Sequence, residues 1–224
     1  MMKQQQRLYK LNKKITRCKK CPRLASYIRT VAKKKVKRFS DQKYWGRPLT
    51  GFGDFNAELL LVGLAPAAHG GNRTGRMFTG DSSGDWVARV LYENGFATKP
   101  TSEKLADGFS LINAYVTASV RCAPPQNKPL KEELANCSSY LKEELFILKR
   151  IRIIICFGKI AFDSCCKLLQ INDTKFSHGK IISHGKFVII STYHPSRQNT
   201  QTGRLRWEQW SDIFSKAKNI LDEK

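Results

Sequence analysis

The chain is short of acid. Its 224 residues include 18 Asp and Glu against 40 Lys and Arg, for a formal charge of +22. Long apolar runs are also missing. The longest, Ile151 to Phe157, has the length of a strand and is broken by Arg152, far below the ~20 apolar residues of a membrane span. The first thirty residues are polar and basic, without the apolar stretch of a secretory signal. The cytoplasm is therefore the expected compartment. No internal repeat or long low-complexity segment is present. With 41% hydrophobic and 26% charged residues, the composition is that of an ordinary globular chain. Its length suits one core, and residues 1–224 are expected to form one domain.

The positive charge is unevenly placed. Residues 1–50 hold seventeen Lys and Arg and a single acid, Asp41, for a net of +16, and the other 174 residues carry only +6. Such a block concentrates polyanions around the chain. Nucleic acid is the expected partner, held with a strong dependence on salt. A solvated basic arm without a partner is the plainer alternative.

Patterning predicts alternating strands and helices. Leu8, Leu11 and Ile15 fall at helical spacing near the N-terminus, and Tyr44 to Asp54 is rich in turn residues. Strands are expected at 58–62, 109–113, 151–157 and 187–192. Helices are expected at 82–95, 131–149, 159–170 and 203–221. This order predicts a parallel sheet with helices on both faces. In such sheets ligands bind beyond the carboxyl ends of the strands, so the loops starting at Gly63, Asn113 and Tyr193 are the candidate site.

Seven cysteines, an odd count in an expected cytosolic protein, argue against a disulfide framework. Cys18 and Cys21 form a C-x2-C pair before Pro22. Cys122 lies in a Pro-rich loop and Cys137 on an expected helix. Four thiolates converging from two segments suit zinc or an iron–sulfur cluster, and spacing does not choose between them. Cys156, Cys165 and Cys166 fall on core elements and are not expected to be ligands.

The first loop, Gly63 to Trp86, is rich in glycine, which lets backbone N–H groups approach a ligand. Phe78 within it has no evident core partner and suits stacking on a planar ring. Asp81 suits either a helix N-cap or catalysis. Asn113, at the start of the second loop, suits a place in the site or the pairing of buried backbone groups. His194 stands at a strand end, before the polar residues Arg197, Gln198 and Asn199. His69 is ambiguous, and His178 and His184 are expected at the surface.

These strings resemble a known family. Gly63-Leu64-Ala65-Pro66-Ala67 followed by Met77-Phe78-Thr79-Gly80 resembles the first motif of uracil-DNA glycosylases. Leu111 to Ala114, Arg121 to Pro125 and His194-Pro195-Ser196 are similar to the superfamily's later motifs. The full first loop and the HPSRQNT string are most similar to family 5, or type B. The resemblance covers Cys18 to about Gly203, in matching order.

The resemblance implies an α/β/α fold around a four-stranded parallel sheet. It implies a structural [4Fe-4S] cluster on Cys18, Cys21, Cys122 and Cys137. It also implies DNA containing uracil or a modified base as the partner of a monomeric enzyme. The flipped base would lie among Gly63, Leu64, Ala65, Ala67, Phe78 and Asn113. Asn113 would read its edge, and His194 would stabilise the anion at O2. Arg197, Gln198 and Asn199 would meet DNA. Relatives with an acid or amide at the position of Ala65 use it on water. Here Ala65 cannot serve, which leaves Asp81, or else His69, for that task. Small residues at Ala67 and Ala68 imply a roomy pocket and broad substrates, including hypoxanthine, hydroxymethyluracil and ethenocytosine. The alternatives are a non-catalytic binder of damaged or single-stranded DNA and a family 4 glycosylase. Leu64 speaks against family 4, which normally has an acid there.

Overall fold

The computed structural model describes residues 2–223. Six strands form one sheet: β1 (Phe52–Gly53), β2 (Leu59–Gly63), β3 (Ala114–Ala118), β4 (Ile153–Phe157), β5 (Ile181–His184) and β6 (Phe187–Thr192). Their order is β1-β3-β2-β4-β6-β5. The four central strands are parallel, as expected. The count of four is corrected to six, because an antiparallel strand closes each edge. Neither edge strand has a strong pattern. β1 is two residues long, and β5 is largely exposed.

The helices are α1 (Met2–Thr16), α2 (Pro22–Lys34), α3 (Gly71–Thr74), α4 (Ser82–Glu93), α5 (Lys131–Ile147), α6 (Lys159–Leu169), α7 (Arg197–Gln201) and α8 (Trp207–Asp222). Alternation along the strands divides the core. Leu59, Leu61, Ile153, Ile155 and Phe157 face a layer built by Val90 and Leu91 of α4 and Trp210 and Phe214 of α8. Leu60, Val62, Ile154 and Cys156 face the opposite layer, with Leu141 of α5 and Phe162 of α6. Both faces are covered, so β2, β3 and β4 are buried at every residue. That is why they read as continuous apolar runs. Each large aliphatic side chain so buried contributes about 1.5–3 kcal/mol.

A third core holds the N-terminal helices. Leu11 and Ile15 of α1 and Leu24 and Ile28 of α2 pack with Val120, Cys122, Cys137 and Tyr140. Helix α2 was not among the expected elements. Its signals are Pro22 in the first turn and the buried pair Leu24 and Ile28, four residues apart.

The second expected strand is displaced. Residues 109–113 are not a strand, and β3 starts at Ala114, paired with Leu59. Phe109 and Leu111 are buried, but from a loop, where Leu111 makes only an isolated bridge to Ala97. Asn113 has a φ of +50°, which breaks the extended backbone just before β3. Asn113 thus precedes β3, at the amino end of the sheet. The loop that follows the strand begins after Ala118.

Candidate active site and thiol centre

A pocket of about 460 Å³ opens beyond the carboxyl ends of the parallel strands. Leu64, Ala65 and Ala67 line it from the loop after β2, and Phe78 and Asp81 from further along the same loop. Ala118, Gln126 and Asn127 follow β3, and His194, Ser196, Arg197 and Gln198 follow β6. Gly63 ends β2 behind the pocket wall. A Cβ there would lie 2.6 Å from Cζ of Phe78, so only glycine admits the ring. Phe78 has a φ of +48°, an unfavourable conformation for a bulky side chain. Its ring meets Phe157 edge-on at 5.4 Å and lies 6.0 Å from the His194 ring, at a tilt of 33°.

Asp81 is the N-cap of α4 and also lines the pocket. Oδ1 caps α4, accepting from Ser83 N at 3.1 Å and Gly84 N at 3.0 Å. Oδ2 lies against Gly70, where a Cβ would come within 1.8 Å of it. Burial raises the Asp81 pKa above the ordinary carboxylate value, against the opposing pull of the two capping N–H groups. Burial also pushes His194 down, to about 4, so its imidazole is neutral at pH 7. The backbone around it is tied. The His194 carbonyl accepts from Ser196 N and from Asn199 Nδ2, both at 2.8 Å. Ser196 caps α7, and Arg197 Nε donates to Ser82 Oγ at 3.3 Å across the pocket mouth.

Three expected residues lie elsewhere. Asn113 is at the far end of β3, five residues or roughly 16 Å of strand from the pocket. Its Oδ1 accepts from Glu58 N at 2.9 Å and its Nδ2 donates to Glu58 Oε2 at 3.2 Å, so it joins β2 to β3. Asn199 points inward to the His194 carbonyl and does not line the pocket. His69 pairs its Nδ1 with Tyr44 OH at 3.0 Å, outside the pocket lining. Ala68 packs against the third core with the cysteines, as does Ala65 from the pocket wall. His178, expected at the surface, is half-buried and stacks on Tyr193 at 5.1 Å.

The four singled-out cysteines gather in that third core. Cys18 follows α1, Cys21 precedes α2, Cys122 follows β3, and Cys137 lies on α5. Burial raises the pKa of Cys21, Cys122 and Cys137, and the neighbouring thiols push each of them further up. Asn136 Nδ2 approaches Cys21 Sγ at 3.6 Å, and the Arg121 N–H donates to Cys137. Arg23 of α2 grips Glu133 of α5 with two bonds of 2.9 and 2.7 Å, fixing the segments that carry Cys21 and Cys137. Burial alone would raise the Glu133 pKa, but Arg23 and the Leu130 N–H hold it below the usual value. Among the described residues, no three of His, Cys, Asp and Glu come together as the ligands of one metal ion. Cys156, Cys165 and Cys166 are buried in the layer between the sheet and α6.

Residues 50–218 match the uracil DNA glycosylase superfamily. The chain is 43% identical over 204 residues to a Type-5 uracil-DNA glycosylase of Pyrobaculum aerophilum, covering 91% of this chain and 89% of that one. It is 42% identical over 212 residues to a Type-5 uracil-DNA glycosylase of Thermus thermophilus, covering 92% and 94%.

The chain belongs to the uracil-DNA glycosylase superfamily.

Within that superfamily the type-4 likeness is weaker. A Type-4 uracil-DNA glycosylase of Archaeoglobus fulgidus is 30% identical over 182 residues, covering 78% of this chain and 82% of that one. The pocket also contains a polar residue that was not expected. Asn127 and its neighbour Gln126 both take left-handed backbone, with φ of +57° and +53°, in the loop after β3. The available signal was Pro124-Pro125 followed by two amides, in the loop after a buried strand.

Proposed function

We propose that this chain excises uracil and related bases from DNA by hydrolysing the N-glycosidic bond, leaving an abasic site. The observation that carries this is the convergence of Phe78, Asp81, Asn127 and His194 on one pocket at the carboxyl ends of the strands. It joins the 42–43% identity to type-5 glycosylases over nine-tenths of the chain.

The base sits inside a duplex and must be extruded, at a cost of a few kcal/mol that is least at a mispair. Phosphate contacts to the basic surface offset part of this. Arg197 and Gln198, exposed at the pocket mouth, are placed to enter the gap left by the base. The extruded ring stacks on Phe78. Asn127, in place of Asn113, reads its edge, one amide donating to O4 and accepting from N3–H. As the glycosidic bond breaks, negative charge moves to the ring and positive charge to the sugar. The neutral His194 imidazole donates to O2, a preorganised bond worth a few kcal/mol. Asp81 keeps α4 capped through Oδ1 and offers Oδ2 to the attacking water or to the sugar cation. Ala65 and Ala67 leave space beside the base, consistent with broad substrates.

We further propose that Cys18, Cys21, Cys122 and Cys137 hold a [4Fe-4S] cluster. An all-thiol donor set in an apolar shell fits soft iron–sulfur ligation. Held by these four cysteines, the cluster would cross-link the N-terminal helices, α5 and the loop after β3, away from the bond that is cleaved.

The test is release of uracil from a U·G duplex by purified protein without added metal. Retained DNA binding with no abasic product would replace the enzyme by a damage binder. Asp81→Asn separates the two roles of that residue, because Asn caps as well as Asp. The single-turnover rate should fall at least tenfold while thermal stability holds. An unchanged rate would leave Asp81 only its cap.

A further inference from the structure

A second cleft, of about 720 Å³, lies between the turn after α1, one face of α2 and the Trp45–Pro48 segment. Five cations line it: Arg17, Lys19, Arg29, Lys33 and Arg47. All five are exposed, and none forms an ion pair among the described residues. The first fifty residues have only Asp41 to offset them. Like charges gathered around one concavity give it a positive potential, which an anion between them would relieve.

The cleft is rigid. Gly46, at a φ of +61°, seats its backbone on α2, where a Cβ would lie 2.8 Å from that of Ala32. Trp45 Nε1 donates to Pro48 O at 3.3 Å, and the Arg47 guanidinium lies 5.8 Å above the Trp45 ring. The cleft is also joined to the pocket. Gly46 N donates to Asn72 O at 3.1 Å, and Asn72 N donates to Ala67 O at 3.0 Å. One short helix thus separates the cleft wall from a residue that lines the base pocket.

We propose that this cleft seats the phosphate backbone of a nucleic-acid strand, in the stretch flanking the nucleotide whose base enters the pocket. The proposal rests on the DNA reading above. A row of phosphates about one nucleotide apart matches several separate cations, where a single small anion would engage only one or two. Arg47, lying over Trp45, presents its guanidinium edge to a phosphate oxygen.

The test uses the full chain and a fluorescent single-stranded DNA without uracil, titrated at several salt concentrations. R29Q/K33Q/R47Q is compared with K149Q/R150Q/K186Q, an equal charge change at the amino end of the sheet. None of the six positions is a cysteine or a pocket residue. The cleft variant should bind about 10-fold to 100-fold more weakly at low salt. It should lose about two from the slope of log affinity against log salt, near 0.7 per phosphate contact on a single strand. The control should change less than about threefold. R29K/R47K, which keeps the charge, should bind like wild type if the cleft variant is weakened by charge and not by misfolding. Equal weakening of cleft and control variants, or none in either, would overturn the cleft. Uracil excision is measured alongside, and the cleft variant should keep its rate at saturating DNA with a raised KM. Weakened cleft binding with no excision by wild type would leave the cleft standing and remove the glycosylase reading. Normal excision with unchanged cleft binding would do the reverse.

Discussion

His194 lies where the surrounding protein keeps its imidazole neutral, with the pKa lowered by burial to about 4. Two consequences follow at the scale of this residue. Between pH 6.5 and 4 the unfolded chain binds a proton at this position and the folded chain does not. Stability is therefore full above pH 6.5 and is lost as pH falls toward 4. His194→Gln should lose less stability than wild type between pH 7.5 and pH 5 in denaturant titrations. A neutral donor also predicts a single-turnover excision rate that is flat from pH 6 to pH 8. A steep fall over that range would mean that the imidazolium is required. His194→Ala should lower the rate by about 10²–10³. Binding to abasic product should barely change, because the lost bond is made mainly in the transition state. The two asparagines make a further contrast. Asn127→Ala should cost at least tenfold in excision of uracil with little loss of fold stability. Asn113→Ala should do the opposite, since its amide joins Glu58 to the start of β3. Equal activity losses in both variants would return base reading to Asn113. The sequence shows an Asn beside a buried strand, but the side of the strand depends on its start. Apolar Phe109 and Leu111 imitate a strand from a loop, and that shift of five residues moves Asn113 from one end of the sheet to the other.

At the scale of elements, β2, β4 and β6 were legible because strands covered on both faces leave uninterrupted apolar runs. Helices α4, α5, α6 and α8 were legible from apolar positions at helical spacing. The edge strands were not, because two or four half-exposed residues bury too little to leave a pattern. Helix α2 was missed although Pro22 opens it and Leu24, Ile28 and Val31 recur at helical spacing, because its many basic residues suit a solvated arm equally well. One junction between elements was beyond reach of the sequence. Arg121, after β3, donates through Nη2 to Glu144 of α5 at 2.5 Å, and both side chains are almost wholly buried. Thr117 Oγ1 donates to the same carboxylate oxygen at 2.7 Å. Breaking such a pair leaves one buried charge without its partner, which costs about 3–5 kcal/mol. Arg121→Met should lower stability by about that amount in denaturant unfolding, and Arg121→Met with Glu144→Leu should recover much of it. A loss under 1 kcal/mol in the single variant would mean that water reaches the pair.

At the scale of the molecule, the chain is a covered sheet with a basic helical pair attached to one side. The apolar residues of α1 and α2 meet the third core, where the four thiols gather, and Leu8 of α1 also reaches the layer between the sheet, α5 and α6. Ala65 packs on that core and lines the base pocket, so the thiol centre and the pocket share a wall. A cluster there would connect the basic N-terminal surface to the loop after β2. The spacing of the cysteines left zinc and iron–sulfur open, and the proposed cluster is tested by its iron. Protein purified without oxygen should be brown and carry about four irons per chain. Cys122→Ser should lose the colour and lower thermal stability. It should also speed amide exchange across residues 5–34 more than in β4. Cys156→Ser, buried in the opposite layer, should keep both the iron and the slow exchange. If residues 5–34 stay equally protected in a colourless Cys122→Ser protein, then Leu11, Ile15, Leu24 and Ile28 hold the helices by packing alone. The cluster would then add nothing to the placement of the basic surface.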